Sequence, residues 1–478
     1  MEIVSSILKC VVFTFIIFSN VSDLYAIIVW DGKIVSAWPE QHLANLHKTV
    51  NVTTANDTGF GFFTHPKDTT YGLTMIVDFS DQVANFTTTQ ISDWLNKPGF
   101  TMGSTNGSVR DYFYQISNGK FLLINDVVGY YRAKNPKSYY ESSSSYTRAA
   151  ELVNEVINYF DPMVNFSKYD NNKDGNTEAI SIVYAGSGQT WGQGLWPHSG
   201  YINQTKDGVK LGNFNMSDMG TNLGLYVFCH ESGHMIFGWP DLYWFGDYCL
   251  MGNRMSDVNP VPVNDFFRAD QGWIPTVDIT PNTNERFNVY LNGTGYRYVN
   301  PSNTSQMYYW TNVKNTGRYA SLRGKGILLY SYDNRIKGNT SGTSRCLYVV
   351  EADGNNAMTA SQWPNPGSTT TDFFYSPNRS EFSPITTPAA SWGLKIYAIS
   401  SVSDTMQFSV GNGPISLCNP ETTPFSKVTK IAAPVIVYDL LGRQLEIPFL
   451  TKGITSALPA NNIFILRQSS RTKSFKNF

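Results

Sequence analysis

Charge is what this chain has least of. Asp, Glu, Lys and Arg make up only 15% of its 478 residues, and the signs cancel to a net −1. Such a balance offers no basic field to a phosphate backbone, so nucleic acid is not expected as a partner. Long apolar runs are absent too, apart from residues 10–18 (CVVFTFIIF). That run is too short to cross a bilayer comfortably, so no transmembrane helix is expected in the mature chain. Extended helical periodicity is rare, while Gly, Asn, Ser, Thr and Tyr are plentiful. That composition favours strands and loops in an extracellular type of protein. Cysteines number five, and without Cys10 the remaining four permit two disulfides at most.

What is present begins with a signal-like segment over residues 1–26. Lys9 gives a weak positive start, the apolar run follows, and polar residues lead to cleavage near Ala26. A buried core strand is the competing reading of this run. Residues 27–70 carry no strong period and read as an N-terminal extension or pro-segment; His42, His47 and His65 fall there without ligand spacing. Asn-x-Ser/Thr triplets at Asn51, Asn85, Asn106, Asn165, Asn203, Asn292 and Asn378 matter only if the source cell glycosylates its exports. The expected location is secreted or cell-surface.

From residue 71 the pattern sharpens. Residues 73–79 and 121–128 are short apolar runs that fit buried strands. Residues 146–160 place Ala149, Leu152, Val153, Val156, Ile157 and Phe160 at helical spacing. Next, Asp170, Asn172, Asp174, Asn176 and Glu178 alternate oxygen donors, with Gly175 at the sixth position, like the first half of a calcium loop. Ser181 stands where the twelfth-position carboxylate belongs, so this is no standard EF-hand; a polar turn into the strand 179–185 is the alternative.

The chemistry concentrates at HESGH, residues 230–234. Residues four apart share one helix face, so His230 and His234 can offer two imidazole nitrogens to one zinc ion. Glu231 leaves the helix about 100° away from His230, beside the metal and not on it, where it can take a proton from water. The helix is expected over residues 223–237, capped by Asn222 or Thr221. Gly238 stops it and Pro240 prevents continuation, which can bring Asp241 back toward the metal. A Cys229–Cys249 bond would brace this region; buried free thiols are the equal alternative.

After residue 275, short strands with turn residues recur (326–331, 347–351, 406–410). The organisation expected is therefore α+β: a catalytic domain over 71–275, a β-rich, sandwich-like domain over 276–412, a linker over 413–430 and a small C-terminal β module over 431–478.

An ordered series of motifs resembles the secreted zinc metallopeptidases of the immune inhibitor A (thuringilysin-like) family. It comprises IVDFSD (76–81), GSVRDY (107–112), SNGK (117–120), YDNNKDG (169–175), VYAG (183–186), LWPH (195–198), the segment 230–243, LMG (250–252) and QGWI (271–274), with weaker likeness at 350–354 and 392–410. The resemblance implies a metzincin-like endopeptidase acting on proteins or peptides, with one catalytic zinc held by His230, His234 and Asp241. Gly238 and Asp241 each lie one residue further from His234 than in the commonest form of the motif, and a bulge in the turn would absorb that residue. Met251 resembles the methionine that floors such metals. Tyr243, Tyr248 and His198 are candidates for an extra oxyanion donor or for support behind the ligands. The segment from VYDLLGR (437–443) looks like a C-terminal sorting module for outer-membrane export, with an ordinary terminal β-hairpin as the alternative. Two other classes compete: a non-catalytic surface or adhesion protein with a structural zinc site, and a zinc amidase or glycan-acting protease sharing only the helix motif.

Overall fold

A computed structural model describes residues 62–411, apart from 143–146, 190–193, 253–255, 281–284, 337–344 and 361–367, together with the backbone of a few short strands elsewhere. The signal-like segment, His42, His47, Asn51, most of the 27–70 extension, Cys10, Cys418, the linker and the basic tail lie outside the described residues. The chain forms two compact units, residues 1–413 and 414–478. In the second, Val435–Tyr438 pairs antiparallel with both Gln444–Leu445 and Ile465–Gln468.

The first unit is mixed α and β, with several sheets. Five strands build the first sheet: β1 (Thr69–Asp78), β2 (Leu122–Arg132), β3 (Ile180–Tyr184), β4 (His198–Lys206) and β5 (Val209–Asp218). Their order is β2-β1-β3-β5-β4. The first four run parallel, and β4 pairs antiparallel with β5 at the edge. The apolar runs at 73–79 and 180–184 are continuous because β1 and β3 are central and covered on both faces.

Helices α1 (Thr88–Asn96) and α2 (Val109–Ile116) each open with a full capping box, Thr87 with Gln90 and Ser108 with Asp111. Helix α3 (Thr147–Phe160) buries the stripe expected from its spacing. Helix α4 (Tyr226–Ser232) packs against β5 and carries His230 and Glu231, and the turn Gly233–Phe237 that continues it carries His234.

Beyond α5 (Asp265–Asp270) come the strands β6 (Thr276–Asp278), β7 (Glu285–Tyr290), β8 (Gly295–Val299), β9 (Gln306–Val313), β10 (Gly326–Asp333), β11 (Leu347–Val349), β12 (Ile396–Tyr397) and β13 (Thr405–Val410). β11-β10-β9-β8-β6 form one sheet, extended by Ala55–Asn56, and β7-β13-β12 another. Strand period decides how they pack. On β9, Met307, Tyr309 and Val313 join the core of the first sheet and α4, while Tyr308 and Trp310 join a second core with Phe408 and Met406 of β13. The apolar core of the motif-bearing region therefore continues into this sheet, across the junction expected at 275–276.

Residues 62–65 also belong to this body. The Phe62 and Phe63 N–H groups bond the buried Asp270 carboxylate at 2.8 and 3.3 Å, and His65 Nε2 lies 3.3 Å from it. The Thr64 N–H reaches the Phe237 carbonyl at 3.0 Å, at the end of the motif helix.

Candidate metal centre

The motif helix starts later than its apolar pattern suggests. Leu223 has φ +55, which no continuous helix allows, so neither Asn222 nor Thr221 is the cap. The Asp257 carbonyl instead accepts the Leu225 and Tyr226 N–H groups at 2.6 and 3.2 Å. The last turn, Gly233–Phe237, is widened: the Gly238 N–H bonds Gly233, five residues back, as well as His234. Gly238 then takes φ +69 and ends the helix, as a glycine can without strain. The extra residue noted in the sequence is taken up inside this π-turn, not in the Gly238–Asp241 loop. Gly233 permits it, since a Cβ there would stand 2.8 Å from Met251 Sδ and 3.1 Å from Trp239 Cε3.

This geometry brings His230, His234 and Asp241 together, their ligand atoms all within 4.8 Å of one another. His230 Nδ1 faces the Leu250 carbonyl at 3.0 Å, and His234 Nδ1 faces the Trp239 carbonyl at 2.5 Å. A carbonyl only accepts, so each Nδ1 carries the hydrogen and each Nε2 turns a lone pair inward. Both Nε2 atoms face the same oxygen, Asp241 Oδ1, at 3.1 and 3.3 Å. Two donors about 2.0–2.2 Å from one tetrahedral ion stand about 3.3–3.6 Å apart, so one spacing matches a zinc site's edge and the other is slightly shorter. Three acceptors facing one another repel unless a proton or a cation lies between them. The pKa shifts are those of hydrogen-bonded histidine–aspartate pairs: burial raises Asp241, yet hydrogen bonds and charge from its two histidine partners hold it well below the usual carboxylate range. Burial opposes charge on His230, yet Asp241 and Glu231 turn its net shift upward.

Glu231 stays outside the trio. Burial raises its pKa, His230 and His234 pull it down, Asp241 pushes it up, and the backbone N–H of Ser199 on β4 supports the carboxylate. Met251 is fully buried beneath Gly233, next to His234 in sequence. Tyr226, one turn before His230, donates to the Gly252 carbonyl at 2.7 Å and so ties the helix to the 250–252 segment. Tyr243 lies parallel to the His230 ring with centroids 6.4 Å apart. His198 opens β4 with Nδ1 2.7 Å from the Trp196 carbonyl, and burial lowers its pKa. Tyr248 is drawn elsewhere: its hydroxyl bonds the Thr369 carbonyl and Asp372, both at 2.9 Å. Its hydroxyl is thus committed to the β-rich part, and it drops out as an oxyanion donor.

The segment between Asp241 and Met251 is held from outside the motif-bearing sheet. The Trp244 indole N–H donates to Leu347 at 3.3 Å, Phe245 stacks on Tyr330 at 6.1 Å, and buried Asp247 accepts the Ser368 hydroxyl at 2.8 Å. A chain ending at residue 275 loses all three supports and exposes these rings. Such a truncation is expected to bind an apolar-surface dye and to melt without the cooperative transition of the full chain. A dye-free, cooperative melt by calorimetry would show that the segment stands alone.

Two further carboxylate groups converge. Asp170, Asp174 and Glu178 meet in the calcium-like loop. Asn172 and Asn176 do not join them as oxygen donors; their amide nitrogens both turn to Asp174 at 2.9 Å. Sequence reading missed the second group, Glu351, Asp353 and Asp372, where Asp372 and Glu351 are buried. Backbone N–H groups of Ala357 and Met358 bond Glu351, and those of Thr369 and Asn355 bond Asp372 and Asp353. Glu351 and Asp353 sit two residues apart in the 350–354 segment, but Asp372 is too distant in sequence for the three to form a readable motif. Cys229 and Cys249 are buried free thiols, so the Cys229–Cys249 bond is absent. No protein-family model and no curated protein matches this chain.

Proposed function

We propose that the chain is a secreted zinc-dependent endopeptidase of metzincin-like type, acting on protein or peptide substrates, with Glu231 as general base. The carrying observation is the convergence of His230 Nε2 and His234 Nε2 on Asp241 Oδ1 at 3.1 and 3.3 Å, with the three ligand atoms within 4.8 Å of one another. The resemblance to the immune inhibitor A family supports the same reading. So do the signal-like N-terminus and the finding that, among the described residues, no helix is long and apolar enough to cross a membrane.

A zinc ion held by the trio would acidify a bound water and polarise the peptide carbonyl. The chain's own residues do the rest. The Leu250 and Trp239 carbonyls lock the two rings so that both Nε2 lone pairs point inward. β4 is the last strand of its sheet among the described residues, so its outer backbone groups can pair with an extended peptide and lay it past Glu231. Glu231, with its pKa raised by burial, takes the water proton and returns it to the leaving amine. The loop over Asp170 to Glu178 is proposed as a calcium site that stiffens the entry to β3.

A structural zinc site in an adhesion protein has no use for a half-buried glutamate beside an open strand edge. The test is cleavage of unfolded casein by the purified mature chain. Cleavage is expected to stop with a zinc chelator and to return with added zinc; cleavage indifferent to both refutes the proposal.

A further inference from the structure

The proposed reaction needs Glu231 and a peptide on β4 held at one separation. A residue that sequence reading passed over stands where that separation is set. Asn215 lies on β5, fully buried. Its Nδ2 donates to the Phe228 carbonyl and to Ser232 Oγ, both at 3.2 Å. Phe228 and Ser232 bracket Cys229, His230 and Glu231 on α4. The Asn215 Oδ1 accepts the Ser217 hydroxyl at 2.6 Å, which fixes the amide with both N–H groups toward the helix. Across the ladder, Asn215 is paired with Ser199 of β4, whose backbone N–H lies toward the Glu231 carboxylate and favours its charged form. One rung of the sheet therefore grips the helix from below and meets its glutamate from the side. On the next strand, the rung continues to Ser181, whose buried hydroxyl has no partner and holds nothing.

We infer that Asn215 is a positioning residue for the proposed reaction, holding α4 on β5 so that Glu231 meets a peptide bond laid along β4. The inference rests on the peptidase reading. It predicts a separation of effects, because the two histidine rings are oriented by other groups, the Leu250 and Trp239 carbonyls.

The experiment compares Asn215→Leu, Ser232→Ala, their double variant and Ser181→Ala in steady-state peptide cleavage, with zinc content measured on each. Asn215→Leu is expected to lower kcat about 10- to 100-fold, as small misplacements of a reacting group do. KM should stay within about 3-fold and zinc content should be unchanged, the pattern of an interaction needed only in the transition state. Ser232→Ala should lose less, the double variant should lose no more than Asn215→Leu alone, and Ser181→Ala should cleave like the wild type. A folded, zinc-loaded Asn215→Leu with unchanged kcat overturns the inference, as does kcat falling only in step with lost zinc. If Asn215→Leu does not fold, Ser232→Ala decides: a lowered kcat at full zinc content supports the inference and an unchanged kcat overturns it. A wild type without chelator-sensitive cleavage refutes the peptidase reading and this inference together, whereas an active wild type with an indifferent Asn215→Leu refutes this inference alone.

Discussion

Glu231→Gln is expected to keep its metal and to lose about 10²- to 10⁴-fold in kcat, the range that a positioned general base contributes. The side chain keeps its shape, and its amide oxygen can still accept the Ser199 N–H. What it loses is the ability to take and return a proton. His230, His234 and Asp241 are untouched, so zinc content should match the wild type. The measurement is kcat on a quenched peptide alongside zinc per chain. A zinc-loaded Glu231→Gln that cleaves at the wild-type rate removes Glu231 from the mechanism. A variant that loses zinc along with activity would instead place Glu231 among the groups that hold the metal.

The second large effect is at Asp241. Asp241→Ala removes the only negative charge of the trio and leaves two imidazole lone pairs. Loss of an outer partner alone weakens metal binding about 10- to 100-fold, so loss of this ligand should weaken it more than about 100-fold. Activity should vanish at low free zinc. Asp241→His restores a third donor and should recover part of the affinity. Competition against a coloured chelator reads both values. Undiminished zinc affinity in Asp241→Ala would show that the carboxylate faces the rings without holding the ion.

How much of this was legible in the sequence follows from what each feature leaves behind. His230, Glu231 and His234 were readable because four residues make one turn and chemistry needs those side chains. The approach of Asp241 was readable from the Gly238 stop and the Pro240 block, its place as a third ligand only from the family resemblance. That the extra residue lies between His234 and Gly238 was readable too, but not the π-turn that takes it up, with Met251 and Trp239 filling the space beside Gly233. The Leu250 and Trp239 carbonyls were invisible, since a backbone group carries no residue-type signature. Asn215 looked like any polar residue on a strand, and its meaning comes only from pairing with Ser199. The helix start was misjudged because its support is the Asp257 carbonyl, brought from after the motif. Apolar runs located β1, β2 and β3, but not β4 and β5, whose residues alternate or mix polar and apolar types, nor the strand order, which is fixed by long-range pairing. The calcium-like loop shows the limit of spacing: its carboxylates meet, while its Asn side chains turn nitrogen, not oxygen, toward Asp174.

The central claim is that two ring nitrogens and one aspartate oxygen grip a single zinc ion. Zinc-edge X-ray absorption on the active, purified chain tests it most directly. The expected spectrum has one zinc per chain, with nitrogen and oxygen neighbours at about 2.0–2.2 Å and two imidazole scattering patterns. It should lose one light-atom neighbour in whatever zinc Asp241→Ala retains. An active preparation without zinc, or a spectrum dominated by sulfur at about 2.3 Å, would contradict the account.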